Sequence, residues 1–323
     1  MTVQLGVVMD PIAAITIKKD TTFAMLLAAQ HRGWSLHYME QGDLYLRNEQ
    51  AFGRTRPLHI KDDQRSWFSF QGEQELPLAQ LDVILMRKDP PFDMEYIYTT
   101  YLLEQAEAAG VLVVNRPRSL RDANEKLFTC HFPHCCPPTL VSSDMTRIKD
   151  FLREQGDIIV KPLGGMGGTS VFRLHSADPN MNVILEMLTG YGQHFITAQR
   201  YLPEVASGDK RILLIDGEPI PYALARIPAP GETRANLAAG GRGKGVELSA
   251  RDHWICAQVG PTLRQLGLLF VGLDVIGDYL TEINVTSPTC ARELDAQFGL
   301  NIGDQLLQVI EAHLQEISSA KRL

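Results

Sequence analysis

Short apolar runs alternate with longer segments of mixed polarity along the first third of the chain. The apolar runs are bounded by turn residues and predict buried strands at residues 3–9, 36–39, 81–86 and 111–115. Between them, residues 21–32 and 97–110 have the spacing of helices. Strands and helices that alternate in this way predict a mostly parallel sheet, so the fold class is α/β. The polar segment 51–75 has no pattern that places it.

A second block begins near Arg121, with predicted helices at 122–129 and 145–154 and strands at 158–161 and 169–174. The two strands flank the string PLGGMGG, which follows Lys161. This string is not G-x-x-x-x-G-K-[ST], so a Walker-type loop is excluded. Two interpretations stay open: a plain glycine-rich hairpin, or a loop whose backbone N–H groups cover phosphate.

A hairpin with two arginines is predicted in the third block, around the turn Asp216-Gly217. A strict two-residue turn pairs Arg211 with Tyr222 and puts Arg211 and Arg226 on one face of the sheet. Two prolines in the second strand predict an edge position or irregular pairing. The arginines could form a solvated surface, or they could bind phosphate or carboxylate, which suits the planar guanidinium group.

Two later apolar runs, 268–276 and 279–285, carry three side chains with oxygen atoms. Glu282 and Asn284 are two residues apart on a strand and therefore point to one face. Asp274 joins them only if an odd number of unpaired residues separates the strands, and Gly277-Asp278-Tyr279 is the simplest such turn. Thr281 would then face away. Carboxylate and amide oxygens on one face suit Mg²⁺; a solvated polar face is the alternative.

The segment 227–245 between these hairpins is rich in Gly, Ala and Pro and has no strand or helix period. Such a long irregular segment in a compact chain is usually a functional lid or a disordered insertion. Its arginines, Arg234 and Arg242, favour a lid that closes over anions. We expect this loop to be mobile without ligand.

Composition limits the classes of function. The chain has 323 residues and a net charge of −7, which gives no basis for binding nucleic acid or an anionic membrane. It has no apolar run long enough for a membrane span, and its start does not resemble a signal peptide. Five cysteines without a regular framework favour the reducing cytoplasm. The group at 131–136 resembles a zinc site, but adjacent cysteines cannot easily serve one tetrahedral ion.

Several long strings carry a resemblance to a known family: MDPIAAITIKKDTTFAMLLAAQ, VILMRKDPPFDMEYIY, NEKLF, GDKRILLIDGEPIPYALARIP, GETRANLAAGGRG and GLDVIGDYLTEINVTSPT. Together they resemble the bacterial glutathione synthetases, which are ATP-grasp ligases, along nearly the whole chain. The resemblance implies an ATP-grasp architecture behind the N-terminal α/β domain. Its blocks would be 1–121 on the substrate side, 122–200 with the phosphate loop, and 201–323 with the metal site and a mobile loop at 227–243.

The resemblance also implies roles for individual residues. ATP would be bound by Lys126, Lys161, Gly167, Gly168, Gln199, Tyr201, Leu202 and Asp209. Arg211 would be the catalytic residue, facing the transferred phosphoryl group. The peptide site would contain Arg226, Arg234, Thr286 and Ser287, and the metal would be held by Asp274, Glu282 and Asn284. One departure is visible: Gly164 stands where the family pattern usually has Asp.

The implied activity is ATP-dependent joining of γ-glutamylcysteine and glycine through an acylphosphate, with Mg²⁺ or alternatively Mn²⁺ as the cofactor. Two alternatives remain at this stage: another ATP-grasp carboxylate–amine ligase with a different substrate, or a non-catalytic nucleotide-binding protein. No nucleic acid or membrane partner is expected. A cytoplasmic homo-oligomer is expected, and a tetramer is suggested by the resemblance alone.

Overall fold

The computed structural model describes residues 2–165, 167–229 and 240–320. Their strands form three sheets, of eight, four and five strands. None of the helices in these ranges is long and apolar enough to cross a membrane.

The first sheet contains the strands predicted in the first third of the chain. Its elements are β1 (Gln4–Met9), α1 (Thr21–His31), β2 (Ser35–Met39), β3 (Leu44–Arg47), β4 (Gln50–Ile60), β5 (Phe68–Phe70), β6 (Gln74–Pro77), β7 (Val83–Arg87), α2 (Met94–Ala108), β8 (Leu112–Val114) and α3 (Pro117–Asp122). Strands β2, β1, β7 and β8 are parallel, as predicted. Strands β3 to β6 add an antiparallel part to the sheet, and β4, β5 and β6 lie largely in the segment 51–75 that the sequence pattern left unplaced.

The second sheet is fully antiparallel, in the order β11-β10-β12-β9. Its elements are β9 (Thr139–Ser142), α4 (Met145–Gln155), β10 (Asp157–Pro162), β11 (Phe172–His175), α5 (Met181–Thr189) and β12 (Ile196–Arg200). The sheet and its helices enclose a separate core that includes Ile148, Val160 and Leu185.

The predicted helix at 122–129 is wrong. Helix α3 ends at Asp122, and only a short 3-10 turn follows, at Phe128–His131. The Asn124 side chain explains the break, because its Oδ1 accepts hydrogen bonds from the amides of Lys126 and Leu127. A local side-chain acceptor of this kind offers the backbone an alternative to the helix.

The third sheet has the order β15-β14-β13-β16-β17, with all neighbours antiparallel. Its elements are β13 (Asp209–Ile215), β14 (Glu218–Ile227), β15 (Arg242–Glu247), α6 (Ala250–Gln265), β16 (Phe270–Ile276), β17 (Tyr279–Asn284), α7 (Ala291–Phe298) and α8 (Ile302–Ala320). The predicted loop 227–243 is therefore shorter at both ends, because Ile227 pairs with Arg242 between β14 and β15. Its central part and Arg234 lie outside the described residues.

The predicted pairing of Arg211 with Tyr222 is wrong, because the β13–β14 register shifts between Ile212 and Leu214. Arg211 instead faces Leu224. The irregularity lies beside Pro219, as expected for a proline that cannot donate to the ladder. The shift amounts to two residues, so Arg211 and Arg226 still share one face of the sheet.

The C-terminal helix returns to the N-terminal part of the chain. Helix α8 packs against α1, and Arg32 of the first part forms ion pairs with Asp304 and Glu311 of α8. The buried residues Ile302, Leu306 and Leu307 belong to the same core as Leu5 and Phe23. The first and third parts of the chain therefore share a core, whereas the second has its own.

Candidate active site

A cavity of about 330 Å³ is lined by residues from all three sheets and the loops that follow them. Every predicted site residue that the structure describes lines it: Lys126, Lys161, Gly167, Gly168, Gln199, Tyr201, Leu202, Asp209, Arg211, Arg226, Asp274, Glu282, Asn284, Thr286 and Ser287. Arg234 lies outside the described residues. Residues that are far apart in the sequence are thus brought together around one space.

Two buried lysines converge on one carboxylate at the centre of the cavity. The Nζ atom of Lys161 lies 3.0 Å from Oε1 of Glu282, and that of Lys126 lies 3.7 Å from the same atom. Burial would raise the pKa of the Glu282 carboxyl, but the two ammonium groups outweigh it and hold the pKa below its usual value. Lys126 also contacts the carboxylate of Glu125, so Glu125 and Glu282 share these two ammonium groups.

The glycine-rich loop lies beside these lysines. Lys126 donates a hydrogen bond of 2.8 Å from Nζ to the carbonyl of Gly165, which ties the loop to the cavity. Gly167 and Gly168 have φ angles of 65° and 79°, a conformation that other residues rarely adopt. The glycines are therefore required by the backbone, and their amides lie at the cavity wall.

Strand β12 and the residues after it form another wall of the cavity. Gln199 is buried and donates a hydrogen bond to Thr139, and the backbone amide of Tyr201 donates to the carbonyl of Asp157. Among the described residues, the amide of Leu202 has no hydrogen-bond acceptor. A free backbone donor at an apolar wall suits the edge of a purine ring.

Two arginines and two aspartates form a buried network at the base of the cavity. Arg211 donates to both carboxylate oxygens of Asp274, at 2.5 and 3.0 Å. Arg226 pairs with Asp209 at 2.5 Å and with Asp274 at 2.9 Å.

The two aspartates of this network differ in their affinity for a proton. Although burial opposes it, the pair of guanidinium groups holds the pKa of Asp274 well below its usual value. Burial raises the pKa of Asp209 to about 6, because only Arg226 offsets it closely. One oxygen of Asp209 is buried without a hydrogen-bond partner in the described structure.

The carboxylates of Asp274 and Glu282 face each other across β16 and β17, as the metal hypothesis requires. The predicted three-residue turn is wrong, however: Ile276 pairs with Tyr279, so the turn contains only Gly277 and Asp278. The extra residue is Thr281, which forms a bulge in β17 and donates from Oγ1 to the carbonyl of Asp274. Thr281 also lines the cavity instead of facing away.

The donor set at this position fits a hard cation. Asn284 donates from Nδ2 to the carbonyl of Gly272, which leaves its Oδ1 as an acceptor. Glu282 is ionised, whereas both oxygens of Asp274 are occupied by guanidinium groups. No three Asp, Glu, His or Cys side chains gather as a metal cluster within the described ranges. Mg²⁺ characteristically needs only one or two carboxylates when phosphate and water complete its shell.

The described residues predicted for the peptide site lie at the base of the cavity and on the turn after β17. Arg226 lies at its base, and Thr286 and Ser287 line its wall. Asn115 holds this turn from below, donating to the carbonyl of Val285. The hydroxyl groups therefore stand on a backbone that is fixed by a buried side chain.

Sequence reasoning missed Glu125, whose carboxylate contacts the ammonium group of Lys126 at the cavity wall. Burial and the charge of Glu282 raise the pKa of Glu125. The only signal in the sequence was its position beside Lys126 in the string NEKLF. Asp89 was missed as well, although it also lines the cavity.

Comparison with known families and proteins gives a consistent result. Residues 3–121 match the model of the prokaryotic glutathione synthetase N-terminal domain, and residues 125–299 match that of the prokaryotic glutathione synthetase ATP-grasp domain. The glutathione synthetase of Pseudomonas syringae pv. tomato is 64% identical over 98% of this chain and 99% of its own length. That of Escherichia coli (strain K12) is 60% identical over 97% and 99%.

Solved structures share the fold at low sequence identity. The D-cycloserine synthetase DcsG has a TM-score of 0.66 at 14% identity, covering 97% of this chain and 99% of that one. The ATP-grasp ligase PsnB, complexed with minimal precursor, Mg and ADP, has a TM-score of 0.62 at 17% identity, covering 96% and 98%. The ATP-grasp fold is therefore confirmed.

Proposed function

The chain belongs to the prokaryotic glutathione synthetase family, and from this premise we propose that the cavity is where it joins γ-glutamylcysteine to glycine with ATP. It is an ATP-dependent ligase that forms glutathione. One observation carries the assignment of the site: the described residues expected to bind ATP, metal and peptide all line one cavity.

The chemistry follows from the poor reactivity of a carboxylate, whose oxygen cannot leave. We propose that the γ-phosphoryl group of ATP passes to the cysteinyl carboxylate of γ-glutamylcysteine, which gives an acylphosphate and ADP. The amine of glycine then attacks the acyl carbon, a C–N bond forms, and the C–O bond to phosphate breaks. The protonated amine must lose its proton before or during this attack.

Two anions meet in the first step, so positive charge must offset their repulsion. Lys126 and Lys161 lie where they can bind the phosphates, and the amides of Gly167 and Gly168 cover them. Arg211 lies on the same cavity wall as the Asp274 carboxylate and can stabilise charge that develops on the acyl oxygen. Leu202 and Tyr201 would lie beside the adenine ring.

Asp209 is proposed to contribute to the nucleotide site, but its carboxylate is held by Arg226 at the base of the cavity. A contact with the ribose would use the oxygen that has no partner.

Glu282 and Asn284 would hold Mg²⁺, or Mn²⁺ in its place, and Asp274 would join them if a guanidinium group moves away. When bound, the metal ion neutralises phosphate charge and orients the phosphoryl group. The residues of the chain prepare this site by keeping Glu282 ionised between two ammonium groups.

We further propose a cytoplasmic homo-oligomer, for which a tetramer is the first state to test. The cytoplasmic location is supported by five free cysteines, three of them buried, which form no disulfide. Sedimentation equilibrium of the full chain would measure the number of subunits, and a monomer at micromolar concentration would contradict the proposal.

The function is tested by incubating the protein with ATP, Mg²⁺, γ-glutamylcysteine and glycine and measuring ADP release. We expect ADP formation to require γ-glutamylcysteine, and glutathione to be detected by mass spectrometry only in the complete mixture. Equal turnover with free glutamate in place of the dipeptide, or with D-alanine as substrate, would contradict the assignment.

A further inference from the structure

The loop after β7 places a carboxylate at the cavity wall. The backbone of Asp89 is fixed on both sides: its amide donates to Asp10 at 2.9 Å, and its carbonyl accepts from Nζ of Lys88 at 2.7 Å. Lys88 also pairs with Asp10 at 2.9 Å. The carboxylate of Asp89 itself forms no hydrogen bond or ion pair with any residue in the described ranges, and it lines the cavity. The backbone of Asp89 is thus held by two hydrogen bonds, while its carboxylate is left without a partner among the described residues.

The charge of this group is unexpected for the cavity. Both ATP and the dipeptide carry negative charge, and an unpaired carboxylate repels them. Such a group is favourable only if it meets a cation. Among the substrates, the cationic groups are the α-ammonium of the γ-glutamyl residue and the ammonium of glycine.

A buried arginine, Arg87, lies near Asp89 and connects it to the turn after β17. Arg87 is only 5% exposed and donates to the hydroxyl of Thr22 and, at 2.9 Å, to the carbonyl of Pro288. It has no carboxylate at ion-pair distance among the described residues. Burial lowers the pKa of Arg87, and the nearby charges of Asp89 and Asp20 oppose that effect. Arg87 therefore connects the turn after β17, which contains Pro288, to strand β7, which leads to Asp89.

The wall of the cavity can be followed from the reacting groups to this point. A Cβ atom on Gly272 would lie 2.8 Å from the side chain of Arg211 and 3.0 Å from that of Pro288, so these two side chains pack on the same spot. Pro288 in turn is held by Arg87. Contacts thus lead from Arg211 through Pro288 and Arg87 to the end of β7, where Asp89 follows.

We propose that Asp89 binds the α-ammonium group of the γ-glutamyl residue and thereby selects a dipeptide with a free amino group at that end. The proposal rests on the proposed function. Glycine must react beside Arg211, whereas the α-ammonium of the dipeptide is separated from its reacting carboxylate by most of the length of the molecule. We place the α-ammonium group at Asp89 and the reacting carboxylate beside Arg211.

The test compares γ-glutamylcysteine with glutarylcysteine, which keeps both carboxylates but lacks the ammonium group. Wild type should use glutarylcysteine with a kcat/KM about 10- to 100-fold lower, the usual effect of losing one charge-assisted hydrogen bond. Asp89→Asn should lower kcat/KM for γ-glutamylcysteine by a similar factor. It should leave glutarylcysteine unchanged, and the KM values for ATP and glycine as well.

Glu95→Gln is the matched control, because Glu95 is an exposed carboxylate in the first turn of α2 and does not line the cavity. It should behave as wild type with both dipeptides. Calorimetric binding of each dipeptide, in the presence of a non-hydrolysable ATP analogue, gives a second measurement that needs no turnover. Asp89→Ser provides a second variant if the amide variant does not fold.

Three results would overturn the proposal. An equal loss on both dipeptides would make Asp89 a structural residue, and a rise in the KM for glycine alone would place glycine at Asp89. Equal use of both dipeptides by wild type would show that the ammonium is not recognised. These outcomes differ from a failure of the proposed function, in which wild type would form no glutathione and the proposal would fall with it.

Discussion

Asp274 lies directly opposite Glu282 across two antiparallel strands, although the turn between them contains only two residues. The bulge at Thr281 supplies the extra residue that brings both carboxylates to one face. One carboxylate is then balanced by guanidinium groups and the other by ammonium groups.

Arg211 should matter more for turnover than for ATP binding, because we propose that it stabilises charge that develops during the reaction. Arg211→Ala should lower kcat by about 10²- to 10³-fold, the usual effect of removing one such donor. Arg211→Lys is the control, since it keeps a charge for Asp274 but cannot bind it with two parallel hydrogen bonds. Steady-state rates and ATP binding by calorimetry would separate the effects. Near-normal turnover in Arg211→Ala would give Arg211 a structural role only.

Glu282 should determine the metal requirement. Glu282→Gln removes the ionised oxygen that faces Lys161, so the Mg²⁺ concentration for half-maximal ADP release should rise by about 10-fold or more. Thr281→Val is the matched control on the adjacent residue, because among the described residues its hydroxyl bonds to the Asp274 carbonyl and to no other group. Removing Mg²⁺ with a chelator should abolish turnover in both variants. Identical Mg²⁺ curves for Glu282→Gln and wild type would argue against the metal site.

Asp209 should make the stability depend on pH. Burial raises its pKa to about 6, from 3.8 for an ordinary aspartate. The folded state therefore binds this proton more tightly than the unfolded chain, and the resulting stability is present below pH 3.8 and lost as the pH rises towards about 6. Relative to Asp209→Asn, the free energy of unfolding of wild type should fall by up to about 3 kcal/mol over this range. Urea unfolding of both proteins at several pH values would measure this change. A difference in free energy of unfolding that stays constant with pH would show that the pKa of Asp209 is not raised.

Gly164 should accept a side chain. A Cβ atom there would meet nothing within 4 Å, and Gly164 is not among the glycines with positive φ. Gly164→Asp, which restores the usual family residue, should change the free energy of unfolding by less than about 1 kcal/mol. Gly168→Ala is the contrasting variant in the same loop, since its φ of 79° should cost about 1 kcal/mol or more. If urea unfolding gave the same loss of stability for both variants, the positive φ of Gly168 would not explain the cost of its substitution.

Sequence reasoning predicted residues that line the cavity where several polar residues shared a pattern. Lys161 precedes an unusual run of glycines, and Glu282 and Asn284 stand two apart on an apolar strand, so spacing alone indicated a shared face. Asp89 and Glu125 lack any such pattern, because each is a single acid whose position depends on how distant strands meet. Their position at the cavity wall could be recognised only in the folded chain.

The register of the two hairpins was harder to predict than the sheet face on which their charged side chains lie. Both hairpins have an unambiguous two-residue turn, but each also contains an irregularity, beside Ile212 in one and at Thr281 in the other. At Thr281 a hydrogen bond to the opposite strand holds the extra residue. Local turn chemistry cannot reveal such a contact. The metal hypothesis nevertheless implied the parity of the second pairing, because Asp274 joins Glu282 and Asn284 only if the connection contains an odd number of unpaired residues.

The packing of α8 against α1 has a consequence for the way the protein is made. Ile302, Leu306, Leu307 and Ile310 complete the core that contains Leu5 and Phe23, and they are synthesised long after those two residues. The N-terminal part therefore cannot reach its final packing on the ribosome before residues 302–310 have been made. The second sheet, whose core is made only of its own residues, is under no such constraint and can fold while the rest of the chain is still being translated.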